Sequence, residues 1–279
     1  MKEVVFGQYY PSGSVVHKLN PSVKILLTIA YIVAVFLVQP FHYFGFAVCF
    51  VFVLAVTIVA KVPFVKVFRS VRGILFFIIL SAILQLVFNK TGNVLAEFWV
   101  IKITDYGLFN ALYIVLRILL VVIGASLLTY TTSPVEIADG IEVLLFPLKY
   151  IKFPVHEFAL IMSIALRFIP TLLDETDRII QAQKARGADF ESKNIFKKAK
   201  ALIPVLIPLL ISSFRRADEL ADAMDARCYA GSKNRTRYKK LTLSWKDVVG
   251  TVVMAGFVTG IVFLNGVYLF PEIFQAVAL

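Results

Sequence analysis

Two stretches near the middle of the chain finish on the same pattern, Ala-x-x-Ala-Arg. They are Ala182-Gln183-Lys184-Ala185-Arg186, followed by Gly187, and Ala223-Met224-Asp225-Ala226-Arg227, followed by Cys228. On a helix the two alanines, three positions apart, share one face, so a partner's surface can approach closely there. The guanidinium reaches outward with five donors in a planar fork that fits a carboxylate. The chemistry this offers is recognition rather than catalysis: a small-sided plug tipped by a cation. One arginine followed by glycine at a helix end reads better as a cation facing the negative end of the helix dipole plus a C-cap. Two copies sharing both alanines point to docking, since interface anchors are rich in arginine.

The composition says what must carry these plugs. Of the 279 residues 59% are hydrophobic and 25 are Phe, and the mean hydropathy is +0.82. A soluble domain of this length is far less apolar, so the chain belongs in a bilayer. The net charge is +11, but 18 of the 29 Lys and Arg fall between residues 131 and 245 together with 13 of the 18 acids. That stretch is mixed in sign and reads as a folded cytosolic surface, not a nucleic-acid binder. Two cysteines, Cys49 and Cys228, make neither a disulfide framework nor a metal site. Met1 to Asn20 lacks an apolar core followed by a small-residue cleavage site, so no signal peptide is expected.

Apolar spans are expected at about residues 23–39, 41–60, 73–88, 107–130 and 248–270, each near the ~20 residues needed to cross the hydrocarbon core. Lys2, Lys18 and Lys24 precede the first span, and Lys61, Lys66, Arg69 and Arg72 lie between the second and third. The turn at Pro40 has no basic residue, and the 89–106 loop offsets Lys90 and Lys102 with Glu97 and Asp105. Basic loops stay inside, so the N-terminus is expected in the cytoplasm, the 131–245 stretch in the cytosol and the C-terminal tail outside. Gly256 and Gly260 in the last span read as ordinary close helix packing. The chain thus divides into a membrane domain of four helices (1–130), a cytosolic coupling region (131–245) and a final transmembrane helix (246–279).

The 131–245 stretch has its own punctuation. Ser133-Pro134 with Glu136 predicts a helix start, and Pro147 ends that helix after about Leu145. From Val155 to Arg186 the apolar positions recur at helical spacing, with Gly187 as C-cap and Pro170 expected to kink or divide the helix. The next segment repeats the plan: basic at 196–200, apolar from Ala201 to Phe214, then charged and amphipathic to Arg227. Its apolar part is 14 residues interrupted by Pro204 and Pro208, short for a crossing, and is expected in the interface plane or under the membrane bundle. Arg215 and Arg216 read as a solvated or phospholipid-facing collar. Arg117, in mid-span, either snorkels or meets polar groups such as Gln85, a structural role more than a transport role.

In these features the chain resembles the transmembrane coupling component, the T component, of energy-coupling-factor (ECF) type ABC importers. The resemblance runs over most of the length: His17-Lys18-Leu19-Asn20-Pro21-Ser22-Val23-Lys24, Thr132-Ser133-Pro134-Val135-Glu136, Gly140-Ile141-Glu142-Val143-Leu144-Leu145, Leu166-Arg167-Phe168-Ile169-Pro170 and the two arginine motifs. Cys228 departs from the glycine usual at the second motif. The resemblance implies an all-α integral membrane protein of about five transmembrane helices with two long crossed coupling helices, in a bacterial or archaeal cell membrane. It implies two cytosolic ABC-type ATPase subunits docking at Ala182, Ala185, Arg186 and Gly187 and at Ala223, Ala226 and Arg227. It also implies a separate small membrane subunit that binds a vitamin or transition metal and rests on the apolar faces of the crossed helices. No cofactor or catalytic residue is implied for this chain.

Other classes fit less well. A stand-alone secondary transporter, the runner-up, would place acids or histidines in mid-membrane, and these spans hold no Asp or Glu in their interiors. Gly-x-Ser-x-Gly, His-Glu-x-x-His, Cys-x-x-Cys and the phosphate-binding Gly-x-x-x-x-Gly-Lys-Ser/Thr loop are all missing, which speaks against an intramembrane enzyme and against ATP binding by the chain itself.

Overall fold

The computed structural model describes residues 9–39, 43–89, 92–98, 101–151, 154–188, 190, 195–229, 231 and 242–266. Among them are eight α-helices: α1 (Pro21–Leu37), α2 (Tyr43–Ala60), α3 (Phe64–Phe88), α4 (Asp105–Thr131), α5 (Pro134–Leu145), α6 (Val155–Ala185), α7 (Ile195–Ala226) and α8 (Trp245–Gly266). A short antiparallel hairpin, β1 (Val94–Phe98) and β2 (Ile101–Thr104), lies between α3 and α4. The protein is an all-α membrane protein in which five helices are long and apolar enough to cross a bilayer: α2, α3, α4, α6 and α8. The set differs from the one expected. α1 is apolar but has only 17 residues, and α6, read from the sequence as a coupling helix, passes the same length and apolarity test.

Two compact units are distinguished, one formed by Gly7–Val143 with Leu241–Leu279, the other by Leu144–Lys240. In the first, caps set the helix starts. Asn20 accepts the Ser22 amide with Pro21 at the first position of α1, and Thr104 accepts the Gly107 amide at the start of α4. Ser133 and Glu136 exchange bonds at the start of α5, Oγ to the Glu136 amide and carboxylate to the Ser133 amide, which is the capping box expected there.

Cross-links then fix direction. At the start of α1 the Lys24 ammonium donates to the carbonyls of His17 (2.9 Å) and Thr131 (3.0 Å), so the head of α1 meets the tail of α4. Tyr130 Oη donates to the Lys66 carbonyl (2.8 Å), setting α3 antiparallel to α4 in the same way. α8 is tied to α1 at both ends, Asn20 N–H to Asp247 Oδ1 (2.7 Å) and Asn265 Nδ2 to the Leu37 carbonyl (2.7 Å), so those two helices run parallel. Asp247 and Lys24 are buried charges, and each is met by hydrogen bonds rather than left bare. The chain therefore leaves α4 at Thr131 and re-enters α8 near Asp247 at one and the same end of this bundle.

The core between these helices is apolar and aromatic. Phe52 and Phe257 stack at 4.1 Å, with Tyr31 beside both at 6.1 Å. Tyr31 presses so closely on α4 that a Cβ at Gly124 would sit 2.3 Å from its ring.

Several expectations change. The basic segment between the second and third spans is not a loop: α3 begins at Phe64, so Lys66, Arg69 and Arg72 stand on its first turns. Pro170, Pro204 and Pro208 divide neither α6 nor α7; each proline removes one backbone bond, and the neighbouring turns keep theirs. Arg117 does not meet Gln85, whose side chain takes bonds from Asn89 and Asn110. Its guanidinium caps the Val38 carbonyl at the end of α1 (2.8 Å) and also contacts Tyr113 Oη, a structural partner. Gly256 and Gly260 have no atom within 4 Å of where a Cβ would stand, so they pack against nothing in the described chain. The Pro40 turn, Lys2, Lys90 and the tail beyond Gly266 lie outside the described residues.

Candidate functional site

α6 and α7 belong to the second unit and share a plan. From Val155 to Leu173, α6 carries two charged residues, Glu157 and Arg167; from Asp174 to Ala185 it carries Asp174, Glu175, Asp177, Arg178 and Lys184. α7 turns from apolar to charged after Phe214. The two helices pack on one another, and α7 leaves Leu206, Ile207, Leu210, Ile211 and Phe214 exposed.

Both helices end in the same way. At the first tip the Gly187 amide donates to the Lys184 carbonyl (3.0 Å) and the Ala188 amide to the Gln183 carbonyl (3.0 Å), with Gly187 at φ +88°. This is a Schellman closure. At the second, the Cys228 amide donates to Asp225 (2.9 Å) and the Tyr229 amide to Met224 (3.0 Å), with Cys228 at φ +57°. Cys228 thus adopts the left-handed conformation that glycine holds at the first tip, at some steric cost.

Ala182, Ala185, Arg186 and Gly187 are exposed, and so are Ala223, Ala226 and Arg227. Among the described residues neither guanidinium has a carboxylate partner. The two tips are therefore open, cationic and flanked by small side chains, able to accept a protein groove that supplies a carboxylate. Among the described residues no three His, Cys, Asp or Glu side chains gather as a metal site would need.

One contact was not legible from residue types alone. Arg216, read as part of a solvated or lipid-facing collar, instead pairs through Nη2 with Glu175 Oε2 at 2.8 Å. The Ser212 side chain, one turn before Arg216 on α7, stands beside the same carboxylate. The Glu175 carboxyl is held below its ordinary range, first by Ser212, against some desolvation, and then by the bond and charge of Arg216 and the charge of Arg178. The signal that could have found the pair is an offset: Glu175 and Arg216 are 41 residues apart, as are Arg186 and Arg227.

Comparison with known proteins accords with this architecture. Residues 12–238 match the family described as CbiQ, cobalt transport protein. The chain is 45% identical over 268 residues to the energy-coupling factor transporter transmembrane protein EcfT of Ruminiclostridium cellulolyticum, covering 96% of this chain and 99% of the relative. It is 48% identical over 253 residues to the EcfT protein of Clostridium kluyveri, covering 90% and 93%. With the EcfT protein of Bacillus subtilis the figures are 40% over 258 residues, 91% and 97%. A helical membrane protein with five helices long and apolar enough to cross a bilayer, and with this match along most of its length, belongs to the CbiQ family, as a transmembrane T component of energy-coupling factor transporters.

Proposed function

We propose that the chain is the non-catalytic scaffold through which two cytosolic ABC-type ATPase subunits drive a small substrate-binding membrane subunit that carries a vitamin or a transition metal. The observation that carries this reading is the pair of tips. Two helices in one unit end in the same backbone closure, each showing two exposed alanines and an arginine with no carboxylate partner among the described residues. Each tip enters a groove on one ATPase subunit, where an acidic side chain takes the guanidinium as a bidentate pair. The exposed apolar faces of α6 and α7 carry the substrate subunit. When ATP closes the ATPase pair, the angle between the two helices changes and the substrate subunit tips across the bilayer.

This reading puts the N-terminus in the cytoplasm and the α6–α7 unit on the same side. The common departure and return point beside Asn20 and Lys24 supports it.

The test is co-purification from detergent with ABC-type ATPase subunits co-expressed with the chain. Arg186→Glu and Arg227→Glu each weaken capture on the order of tenfold or more, the scale at which an interface arginine acts, and leave membrane levels unchanged. Wild-type capture by the double reversal refutes the docking role. Substrate movement by the purified chain alone in liposomes supports a stand-alone carrier instead.

A further inference from the structure

The ion pair between α6 and α7 joins equivalent points of two repeats. Shifting α6 by 41 residues superimposes Asp177 on Asp218, Ala182 on Ala223, Ala185 on Ala226 and Arg186 on Arg227. The same shift takes Glu175 to Arg216, and these two side chains are the ones that meet. Glu175 precedes its tip by 11 residues and Arg216 precedes its own by 11, so both arms measure about 16 Å at the helical rise of 1.5 Å per residue. In a symmetric contact, residues on the axis face their own equivalents. Identical residues there would be like charges or neutral, whereas this chain has opposite charges at that point.

The chemistry suits a swivel. Arg216 offers the carboxylate one Nη contact, and its Nε has no partner among the described residues. Ser212 approaches the same carboxylate from one turn away on α7. A single bonded point of contact fixes the register and leaves the resting angle to the packing of α6 on α7. The pair is partly exposed, 34% for Arg216 and 24% for Glu175, so it contributes little to stability. Its value lies in register.

We propose that Glu175 and Arg216, assisted by Ser212, form the pivot of the two coupling helices, holding them in the one register that gives both arginine-tipped arms equal length. A slip of either helix by one turn would move one tip by about 5.4 Å relative to the other, and two equivalent ATPase grooves would then receive unequal strokes. The proposal rests on the coupling reading above, and both residues are positioning residues, since neither reaches a tip.

Spin labels on cysteines at Gln181 and Asp222, six residues beyond the pivot on each arm, test it in the full chain in nanodiscs, with Cys228→Ser to remove the exposed native thiol. The unaltered pair gives one narrow distance distribution. Glu175→Arg or Arg216→Glu alone loses that single narrow distribution, and the double exchange Glu175→Arg with Arg216→Glu restores it. Glu175→Gln, which keeps the shape of the side chain and removes its charge, falls between. Single reversals that leave the distribution unchanged, or an exchange that fails to restore it while the thermal unfolding midpoint is that of the unaltered chain, overturn the pivot. Capture of ATPase subunits by the same samples is read separately: no capture by the unaltered chain defeats the docking reading, whatever the distances say.

Discussion

Arg117 on α4 donates to the carbonyl of Val38 at 2.8 Å, so a cation from the middle of α4 closes the end of α1. α1 has only 17 residues, and its last carbonyls have no helical partner of their own. Within a bilayer no water is at hand to satisfy them. Arg117 supplies donors there, with a contact to Phe36 as well as Val38, and its guanidinium lies 4.3 Å from the Tyr113 ring centroid. Arg117→Leu leaves the Val38 carbonyl with only the Tyr113 Oη bond (3.2 Å) and should lower stability by about 1.5–3 kcal/mol, the worth of a hydrogen bond to a charged group, measured as a fall in the thermal unfolding midpoint in detergent. Arg117→Lys should recover part of the loss. A transport role predicts the reverse pattern, unchanged stability with altered substrate movement.

Gly124 should tolerate no side chain. A Cβ there stands 2.3 Å from Tyr31 Cε1, and Tyr31 is buried against Phe52 and Phe257, so the ring has nowhere to go. Gly124→Ala is expected to cost about 1–3 kcal/mol through overpacking, read by the same melting experiment. Gly256→Ala, with open space around it, is the control that should melt as the parent does.

The second tip should be improvable. Cys228 holds φ +57°, and Cys228→Gly relieves about 1–2 kcal/mol of steric conflict. The greater freedom of glycine in the unfolded chain returns about 0.4–1 kcal/mol of that. A small net gain is therefore expected, visible as slower proteolysis after Arg227. Gly187→Ala should have the opposite sign at the first tip.

The pivot should withstand mild acid. The Glu175 carboxyl sits below its ordinary range, so its contribution is complete above the unfolded-state value of about 4.3 and fades only as pH falls through the lower folded value. The distance between labels at residues 181 and 222 should accordingly stay constant from neutral pH down to about that value, and broaden below it. Broadening near neutral pH would show that the carboxylate is not what holds the two helices.

Much of this architecture was legible because it depends on local chemistry. The α5 start, the α6 end and the two tips are set by caps and small residues within a few positions of one another, and each is written as a short motif. Pro63 marks the onset of α3, but the charges that follow read as a loop on polarity alone. What stayed hidden depends on distant partners. The neighbour of Arg117 is a backbone carbonyl, which no residue type advertises. Glu175 and Arg216 each resemble an ordinary solvated charge, and only their common 41-residue spacing with the tips distinguishes them.

Asp247 bears on how the protein is made. Its carboxylate takes the Asn20 amide with one oxygen and the Ser244 amide with the other, and 227 residues separate Asp247 from Asn20. At translation rates of about 5–20 residues per second, the earliest helix waits roughly 10 to 45 s for the carboxylate that completes its setting. Every helix from α2 to α7 leaves the ribosome before that carboxylate does, so a nascent product interrupted anywhere short of α8 holds an α1 whose first amide is still without its acceptor.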